Sequence, residues 1–520
     1  MDILLVRPHP GNERFGLGPF FRVEPLGLEY VAAALRDAGA RPSIVDARFE
    51  RRGHAWMRRH CASIVGISCM HAMEYDCALE VARAARRLLP GALVVIGGHA
   101  ASALPGPLET ADVDAICVDD GEIVLPAIAE AVAAGRSLAA VPGLRLRTPD
   151  GWISTPPLAG RAVLDRCPRP ARDLVARYRR GYHCLLFRPV WLVETARGCP
   201  YRCSFCSVWS LYGRSYRDRS IGTVAEDLEA VGENVFIVDD LFWNLPDRSL
   251  ALARELRRRG VRKRWILVQT RTDLVRRHPE LLEAWRPLAT DFDIFFGLEA
   301  PTDAGLGRLS KDATLGDTVE AARIARGLRY GVTGNFVIDP DWSEDSFREL
   351  WEFVAEHRFE RAGYTILTPL PGTALHRDHD RLRRDRPWFT YDMHHALWEP
   401  RLGARRFFEL YAETWRRSIL NLKGRKRWRD WIRQVRLGEI PYLTRVLLRT
   451  QRMMRADAYL DEHAAAAGPQ RSAATTAVSP AGPRATTRVN PEPAAVPASA
   501  ANTPTAPSSP VRFDRSTIGT

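Results

Sequence analysis

The sequence predicts an α/β protein in which a doubly wound parallel sheet is followed by a partial (β/α)6 barrel. Two observations carry this prediction. Short apolar runs alternate with amphipathic stretches over residues 1–140, and the same alternation starts again at residue 190. A third observation locates the site: three cysteines come directly after the first apolar run of the second alternation. Active sites of such barrels lie at the carboxyl ends of the strands, so we expect these cysteines in the site.

The first alternation contains five apolar runs that are short enough to be buried parallel strands. They are Ile3–Val6, Ser43–Val45, Ile64–Ser68, Leu93–Gly97 and Ala115–Val118. Helical patterns fill the gaps, for example at Leu28–Arg36 and Tyr75–Leu89. Residues 141–189 are rich in Pro, Gly and Arg and include a turn signal at Asp150-Gly151. We therefore expect a connecting segment with little regular core.

The second alternation supplies the six strands of a partial barrel over residues 190–385. They are predicted at Trp191–Thr195, Val235–Val238, Trp265–Gln269, Ile294–Leu298, Gly334–Ile338 and Tyr364–Leu367. From residue 386 to 460 the pattern becomes helical, aromatic and basic. Residues 461–520 consist mostly of Ala, Pro, Ser and Thr, which cannot bury enough apolar surface to fold. We therefore expect a disordered tail, and we expect a truncation after about Ala464 to leave stability unchanged.

The composition is typical of a globular protein, because 46% of the residues are hydrophobic and 26% are charged. No apolar run reaches the roughly 18 residues of a membrane span, and the N-terminus runs into a strand without a signal peptide. We therefore expect a cytoplasmic protein, in which the nine cysteines are reduced and clustered ones indicate a metal site. The formal charge of +13 comes without a recognised nucleic-acid reader motif, so nucleic acid is not an expected partner.

The cysteine motif is Cys199-Pro200-Tyr201-Arg202-Cys203-Ser204-Phe205-Cys206. Three thiolates at this spacing can bind three irons of a cubane 4Fe–4S cluster and leave the fourth iron open to a substrate. The alternatives are a zinc knuckle or three ordinary buried cysteines. Zinc needs a fourth Cys or His at matching spacing, but no second CxxC occurs, and His183 and Cys184 lie on the far side of the strand. The spacing therefore favours the cluster.

This motif resembles that of the radical S-adenosylmethionine (SAM) superfamily, and the resemblance covers residues 191–383. It implies that the open iron chelates SAM, whose reductive cleavage yields a 5′-deoxyadenosyl radical that abstracts hydrogen from a substrate. It also implies an electron donor such as flavodoxin or ferredoxin. The implied SAM contacts are Phe205 at the adenine, Asp239 near the amino group, Glu299 at the ribose and Thr368 in a closing loop. Asp239-Asp240 replaces the more widespread Gly-Gly-Glu, and capping of the next helix is the alternative role of Glu299.

Glycine-containing loops follow the strands of the first sheet, where doubly wound domains bind their ligands. With Pro25–Tyr30, these loops resemble the cobalamin-binding (Rossmann-like) domain that is fused to many radical SAM enzymes. The resemblance implies cobalamin contacts from Ser68, Gly97, Gly98, His99, Gly121 and Glu122. The signature Asp-x-His-x-x-Gly is absent, and Arg7–Gly11 follows the first strand in its place, so we expect no axial histidine beneath cobalt. The alternative is a scaffold that has lost its ligand.

Further stretches resemble the hopanoid C-3 methylases over most of residues 1–420. They are Cys206–Arg217, Ile237–Asp240, Ile338–Trp342, Thr368–Thr373 and His394–Leu397. The resemblance implies a methyltransferase that uses a 4Fe–4S cluster, SAM and cobalamin to methylate an unactivated carbon, C-3 of a hopanoid lipid. The alternatives are another cobalamin radical SAM enzyme of natural-product or tetrapyrrole biosynthesis and, outside the enzymes, a cobalamin or metal sensor.

The segment Leu422–Met454 mixes aromatic and apolar residues with many Arg and Lys. An enzyme with a hydrophobic lipid-like substrate has to meet it at a bilayer, and such a segment suits an anionic membrane surface. One hypothesis is therefore a peripheral contact at the inner face of the membrane. The alternative is a helical cap that packs on the barrel while its arginines are merely solvated.

Overall fold

Two mainly parallel sheets, each with its own helices, form the body of the protein. The computed structural model describes residues 1–10, 21–50, 53–184, 187–359, 362–378, 386–419 and 440–467. Within these residues the predicted fold class is confirmed, because a doubly wound sheet precedes a six-stranded parallel sheet.

The first sheet has seven strands in the order β2-β1-β3-β4-β5-β6-β7, of which the first five run parallel. The strands are β1 Asp2–Arg7, β2 Arg41–Asp46, β3 Ile64–Ser68, β4 Leu93–Gly97, β5 Ala115–Cys117, β6 Leu144–Thr148 and β7 Gly151–Ser154. The helices are α1 Leu26–Asp37, α2 Tyr75–Leu88, α3 His99–Ala103 and α4 Gly121–Ala133. All five predicted strands are confirmed, with ends that differ by at most two residues.

The apolar run of β1 is continuous because both faces of the sheet are covered. Ile3 and Leu5 belong to the core shared with α1 and α4, whereas Leu4 and Val6 belong to the core shared with α2. All four side chains are buried. Alternate residues of β1 therefore pack against helices on opposite faces of the sheet, as expected for a doubly wound fold.

The second sheet holds six parallel strands in sequence order, an open barrel. They are β8 Trp191–Val193, β9 Asn234–Ile237, β10 Lys263–Thr270, β11 Ala289–Glu299, β12 Gly331–Ile338 and β13 Ala362–Ile366. Its helices are α5 Val208–Tyr212, α6 Ile221–Ala230, α7 Pro246–Arg258, α8 Thr272–Arg277, α9 Glu280–Trp285, α10 Asp303–Arg308, α11 Leu315–Gly327, α12 Glu344–Glu356 and α13 Ala374–Asp378. All six predicted strands are present, and every loop that leaves a carboxyl end opens on the same side of the barrel.

The expectation of a connecting segment with little regular core over residues 141–189 is wrong. Strands β6 and β7 extend the first sheet as an antiparallel hairpin, whose turn lies at the predicted Asp150-Gly151. Leu144 and Leu146 point inward, whereas the alternating Arg145 and Arg147 are paired with Glu109 and Asp114. The many arginines made this segment resemble a loop in the sequence. Their carboxylate partners lie far away in the chain, so the local sequence pattern does not show that the arginines are paired.

Among the residues that the structure describes, three helices follow the barrel, α14 Ala404–Ile419, α15 Ile440–Met453 and α16 Ala456–Ala467. Helix α16 packs on α14, since the Tyr459 ring lies 5.4 Å from Phe408 and 5.2 Å from Tyr411 between centroids. The predicted start of the tail at residue 461 is therefore wrong, because it falls inside α16. Residues 468–520, and with them the rest of the predicted tail, lie outside the described residues. None of the helices that the structure describes is long and apolar enough to cross a bilayer.

A truncation series should distinguish α16 from the residues after it. Removal of residues 469–520 is expected to leave the unfolding temperature nearly unchanged, because their composition offers little apolar surface to bury. A cut before Ala456 should lower it by several degrees, because it exposes the aromatic face of α14. Thermal unfolding of both variants measures this. A clear loss in the longer variant would show that the final residues pack on the protein.

Candidate active site

The cysteine loop leaves the barrel at the carboxyl end of β8, where the sequence predicted a site. The Cys206 amide donates a hydrogen bond to the Cys203 carbonyl over 3.1 Å, and Trp209 Nε1 donates to the same carbonyl over 2.9 Å. The Ser204 amide donates to the carbonyl of Leu309, 3.0 Å away, just after α10. The loop is therefore fixed by its own backbone and by the barrel.

The entry to the loop depends on a glycine. Gly198 has a φ of +98°, and a Cβ at this position would overlap the backbone carbonyl of Ser215. Its amide donates to Asp240 Oδ2 over 2.8 Å, and Asp240 follows the neighbouring strand β9. The loops after the first two barrel strands are thus joined immediately before Cys199.

The three thiols of this loop are partly buried, and no disulfide joins any of the nine cysteines. Burial raises the pKa of each thiol, that of Cys206 to about 12. Lys311 opposes this effect at Cys203, because a nearby cation favours the thiolate. Without a metal these cysteines are neutral thiols near pH 7, and metal ligation is what would make them thiolates.

The donor set fits a multinuclear cluster better than a single ion. Among the described residues, no three His, Cys, Asp or Glu side chains lie close enough together to share one metal ion. A structural zinc site takes four protein ligands, whereas a cubane with one open iron takes three thiolates, each on a different iron. Cys199, Cys203 and Cys206 are thus suited to the predicted cluster.

Asp239 and Asp240 follow β9, and the structure separates their roles. Asp239 is 1% exposed and its carboxylate accepts hydrogen bonds from the amide and the hydroxyl of Thr195, while burial raises its pKa to about 7. Asp240 lines the cleft between the two sheets. Asp239, the predicted SAM contact, therefore joins strands inside the barrel, and Asp240 is the carboxylate that a ligand in the cleft can reach.

Glu299 ends β11 in a left-handed conformation with a φ of +62°. Lys311 Nζ donates to Glu299 Oε1 over 3.0 Å, and both side chains are buried. The next helix, α10, takes its N-terminal cap from Thr302, whose hydroxyl accepts from the Gly305 amide. The capping role considered for Glu299 is therefore wrong, and its ribose contact remains a prediction.

Phe205 and Thr368 also lie at carboxyl ends of barrel strands, and their SAM contacts remain predictions. Phe205 is partly buried against the core that includes Leu309 and Leu367. Thr368 is buried, and its hydroxyl donates to the Ile366 carbonyl over 2.9 Å. The structure thus brings both side chains to the same end of the barrel as the cysteine loop.

A cleft of about 470 Å³ lies between the carboxyl edge of the first sheet and the barrel. All six predicted cobalamin contacts line it, namely Ser68, Gly97, Gly98, His99, Gly121 and Glu122. The barrel contributes side chains that the sequence analysis missed, among them Glu194, Arg197 and Tyr212. The sequence offers one signal for these residues, which is that Arg197 lies next to the cysteine motif. No local sequence pattern identifies a residue that faces another domain.

His99 and His71 both line the cleft, and they differ in their contacts. His99 Nε2 lies 2.8 Å from the hydroxyl of Ser207, the residue after the last cysteine, and burial lowers the pKa of His99 to about 4. This contact engages Nε2 of His99, and the absence of an axial histidine beneath cobalt stays a prediction. His71 lines the cleft and is exposed to it, and the sequence analysis did not propose it as a ligand.

Arginines of the barrel side bind the acidic loop that follows β5. Arg197 donates to Glu122 and Glu194 over 2.9 Å each, and Arg217 donates to Asp120 over 2.8 Å. These groups are at most 16% exposed. The glycine loop at Gly121 is therefore fixed against the barrel by ion pairs that water screens little.

Two family models match the chain, the B12 binding domain over residues 19–129 and the Radical SAM superfamily over residues 193–354. Hopanoid C-3 methylase of Methylococcus capsulatus is 33% identical over 403 residues, which are 76% of this chain and 76% of that protein. Anaerobic magnesium-protoporphyrin IX monomethyl ester cyclase of Cereibacter sphaeroides is 27% identical over 396 residues, 72% of this chain and 63% of that protein.

A solved structure shares the fold. The radical S-adenosylmethionine methyltransferase TsrM from Kitasatospora setae, determined with cobalamin and a 4Fe–4S cluster bound, has a TM-score of 0.61 and 19% identity. The alignment covers 72% of this chain and 73% of that one. The order of the two domains, the cysteine loop and the shared cleft are all consistent with this likeness. The chain belongs to the family of cobalamin-dependent radical SAM methyltransferases.

Proposed function

We propose that this enzyme methylates an unactivated carbon of a hopanoid, at C-3. The observation that carries the proposal is the similarity to hopanoid C-3 methylase, which covers 76% of this chain and 76% of that protein. A saturated ring carbon has no acidic proton and no lone pair, so neither base catalysis nor simple displacement can methylate it. The substrate therefore requires the radical route for which this family carries its cofactors.

The residues of the chain divide between the three cofactors. Cys199, Cys203 and Cys206 would hold the cluster, and Asp240, which lines the cleft, would offer the SAM amino group a carboxylate. The predicted cobalamin contacts line the opposite wall. Together the bound cofactors supply removal of a hydrogen atom from carbon and its replacement by a methyl group.

The residues of the chain keep the two walls of this cleft in a fixed relative position. Gly98 has a φ of +120°, and a Cβ there would lie 2.7 Å from the Cys69 carbonyl, so only glycine permits this turn. His99 then contacts Ser207, and Arg197 binds Glu122. A ligand on the first sheet and a ligand on the cysteine loop would thereby share one cleft.

A second candidate is an enzyme of tetrapyrrole biosynthesis. The similarity to the magnesium-protoporphyrin cyclase favours it, since that alignment covers 72% of this chain. The identity is lower and covers less of the relative than the hopanoid alignment does. The hopanoid therefore remains the first choice.

We also propose that the substrate is taken from an anionic membrane surface. Ile440 and Leu448 of α15 are 49% and 58% exposed, although Tyr442 of the same helix packs against His183. The basic residues that suggested a membrane contact lie between residues 420 and 439, outside the described residues. Met453 at the end of α15 is buried in the core of the barrel, which supports the helical-cap interpretation for the described part of the segment.

Substitution of the cluster cysteines tests the chemistry. Cys199→Ala, Cys203→Ala and Cys206→Ala should each abolish 5′-deoxyadenosine release from SAM and the broad absorbance at roughly 400 nm of the anaerobically reconstituted protein, because a thiolate ligand is lost. Cys61→Ala is the matched control, since Cys61 is exposed and lies in the other domain. Retention of both signals in the three variants would refute the assignment of the cluster.

Expression in a bacterium that makes only unmethylated hopanoids tests the substrate. Mass spectrometry of the extracted lipids should show a hopanoid heavier by one methylene, with the methyl group at C-3, and the Cys203→Ala variant should give none. Methylation at C-2 would overturn the position. An unchanged hopanoid profile, in cells whose extract supports 5′-deoxyadenosine release, would overturn the substrate and leave the radical chemistry intact.

Sedimentation with anionic liposomes tests the membrane contact. Binding should weaken with salt, and reversal of Lys423, Arg425, Lys426 and Arg429 to Glu should weaken it further, because each cation near an anionic surface contributes about 1 kcal/mol. A variant in which four exposed arginines of the barrel are replaced by Glu is the control, since it makes the same change in net charge. Equal binding to neutral and anionic liposomes would contradict the proposal.

A further inference from the structure

Helix α5 directly follows the cysteine loop, and it adds nothing to the hydrophobic cores of the protein. Its sequence is Val208-Trp209-Ser210-Leu211-Tyr212, and none of these residues is buried. The cores formed by the described residues contain no member of this helix. The apolar and aromatic side chains of α5 are therefore not required for packing, and they are available to a ligand.

The helix is nevertheless held in one position. Trp209 Nε1 donates to the Cys203 carbonyl over 2.9 Å, and the Arg161 guanidinium donates to the Leu211 carbonyl over 2.9 Å. Gly213 ends the helix in a left-handed conformation with a φ of +62°. A helix of this length is not stable by itself. Contacts with the cysteine loop and with the segment after β7 therefore fix it in place.

Two side chains of α5, Leu211 and Tyr212, line the cleft from the barrel side, and they are called the wall pair below. The Cβ of Tyr212 lies 3.6 Å from the point where a Cβ on Gly198 would stand, so Tyr212 lies beside the entry to the cysteine loop. Leu192 and Val238 line the same wall, but they pack in or against a hydrophobic core. The wall pair is thus apolar surface that the barrel presents to a ligand in the cleft.

Helix α5 lies where three segments meet. Ser207, directly before the helix, contacts His99 of α3. A Cβ on Gly372, in the predicted closing loop, would lie 3.5 Å from the Ser210 hydroxyl and 3.2 Å from Ala103 of α3. The predicted cobalamin wall, the predicted SAM loop and the cysteine loop therefore all lie next to α5. A carbon that exchanges a hydrogen atom for a methyl group has to lie between these segments, and hence beside this helix.

The polar groups near the wall pair are engaged with one another. Arg197 binds Glu122 and Glu194. Burial raises the pKa of Tyr212, so its phenol stays neutral near pH 7. One aromatic and one aliphatic side chain together offer a neutral surface on which a saturated ring can be buried. The chemistry of the wall pair therefore matches a hydrocarbon and not a charged ligand.

We propose that Leu211 and Tyr212 pack against the hydrocarbon rings of the substrate and determine which ring carbon faces the cofactors. The proposal rests on the proposed function, which supplies the substrate class. No bond to either side chain is made or broken, so the wall pair consists of positioning residues. Truncation of the pair should leave the rings loosely held, and the radical made from SAM would then more often be lost without methylation.

The test uses the holoprotein with cluster and cobalamin, and its probe is diploptene, a hopanoid hydrocarbon without polar groups. Leu211→Ala, Tyr212→Ala and the double variant are compared with Tyr212→Phe, which keeps the ring, and with Leu245→Ala. Leu245 belongs to the barrel, is 39% exposed and does not line the cleft, so it provides the same truncation elsewhere. The measurements are diploptene affinity by titration calorimetry, the ratio of released 5′-deoxyadenosine to methylated product, and bound cobalamin by absorbance.

We expect the double variant to bind diploptene roughly tenfold more weakly, because two apolar contacts are lost. The ratio of 5′-deoxyadenosine to methylated product should rise several-fold. Tyr212→Phe and Leu245→Ala should behave as wild type in every assay. Bound cobalamin and SAM cleavage without diploptene should be unchanged in all variants, which a general structural defect would not allow.

Wild-type affinity and an unchanged product ratio in the double variant would overturn the proposal. Loss of cobalamin from that variant would also overturn it, because the pair would then belong to the cofactor site. If the double variant failed to fold, Leu211→Ala would decide, since Leu211 is partly exposed. A wild-type protein that neither binds nor methylates diploptene would refute the proposed function together with this inference. A wild type that methylates diploptene beside unaffected variants would refute the inference alone.

Discussion

Ion pairs across the cleft are the interaction on which the rest of the site depends. Arg197 and Arg217 belong to the barrel side, and their partners Glu122 and Asp120 belong to the loop after β5. These pairs are buried, so each arginine would be costly to leave without its carboxylate. They fix the carboxyl edge of one parallel sheet opposite the carboxyl edge of the other, and both ligand-binding edges consequently open into one cleft.

The same arrangement connects the cysteine loop with the glycine loops. Arg197 immediately precedes Gly198, whose amide is held by Asp240, and Ser207 immediately follows Cys206 and contacts His99. The motif is therefore anchored at both ends, once to the neighbouring barrel strand and once to the first sheet. The two domains cannot shift relative to each other without moving the cysteine loop. The position of a cluster bound there would therefore change together with the width of the cleft.

A buried ion pair lies beside the cysteine loop. Lys311 is paired with Glu299, which adopts an unfavourable left-handed backbone at the end of β11. A cluster with thiolate ligands would be anionic, so a buried cation beside it would lower the cost of its charge.

The fold was readable from the sequence because it depends on local patterns. Continuous apolar runs identify strands buried on both faces, as in Ile3–Val6, and a fixed cysteine spacing identifies the loop after β8. The sequence did not predict the hairpin β6–β7, because its arginines are paired with acids that are distant in the chain, such as Glu109. It did not predict the extent of α16 either, since alanine-rich sequence gives no sign that Tyr459 packs on α14.

The sequence by itself determined the two parallel sheets, the spacing of the three cysteines and the glycine loops that line the cleft. Only the tertiary structure decided which of two adjacent aspartates faces the cleft, that Glu299 is bound by Lys311, and that Arg197 and Tyr212 complete the opposite wall. Strand periodicity and motif spacing are properties of neighbouring residues, whereas burial and ion pairing join residues far apart in the chain. A single sequence records the first kind of information directly, and the second kind exists only once the sheets have packed together.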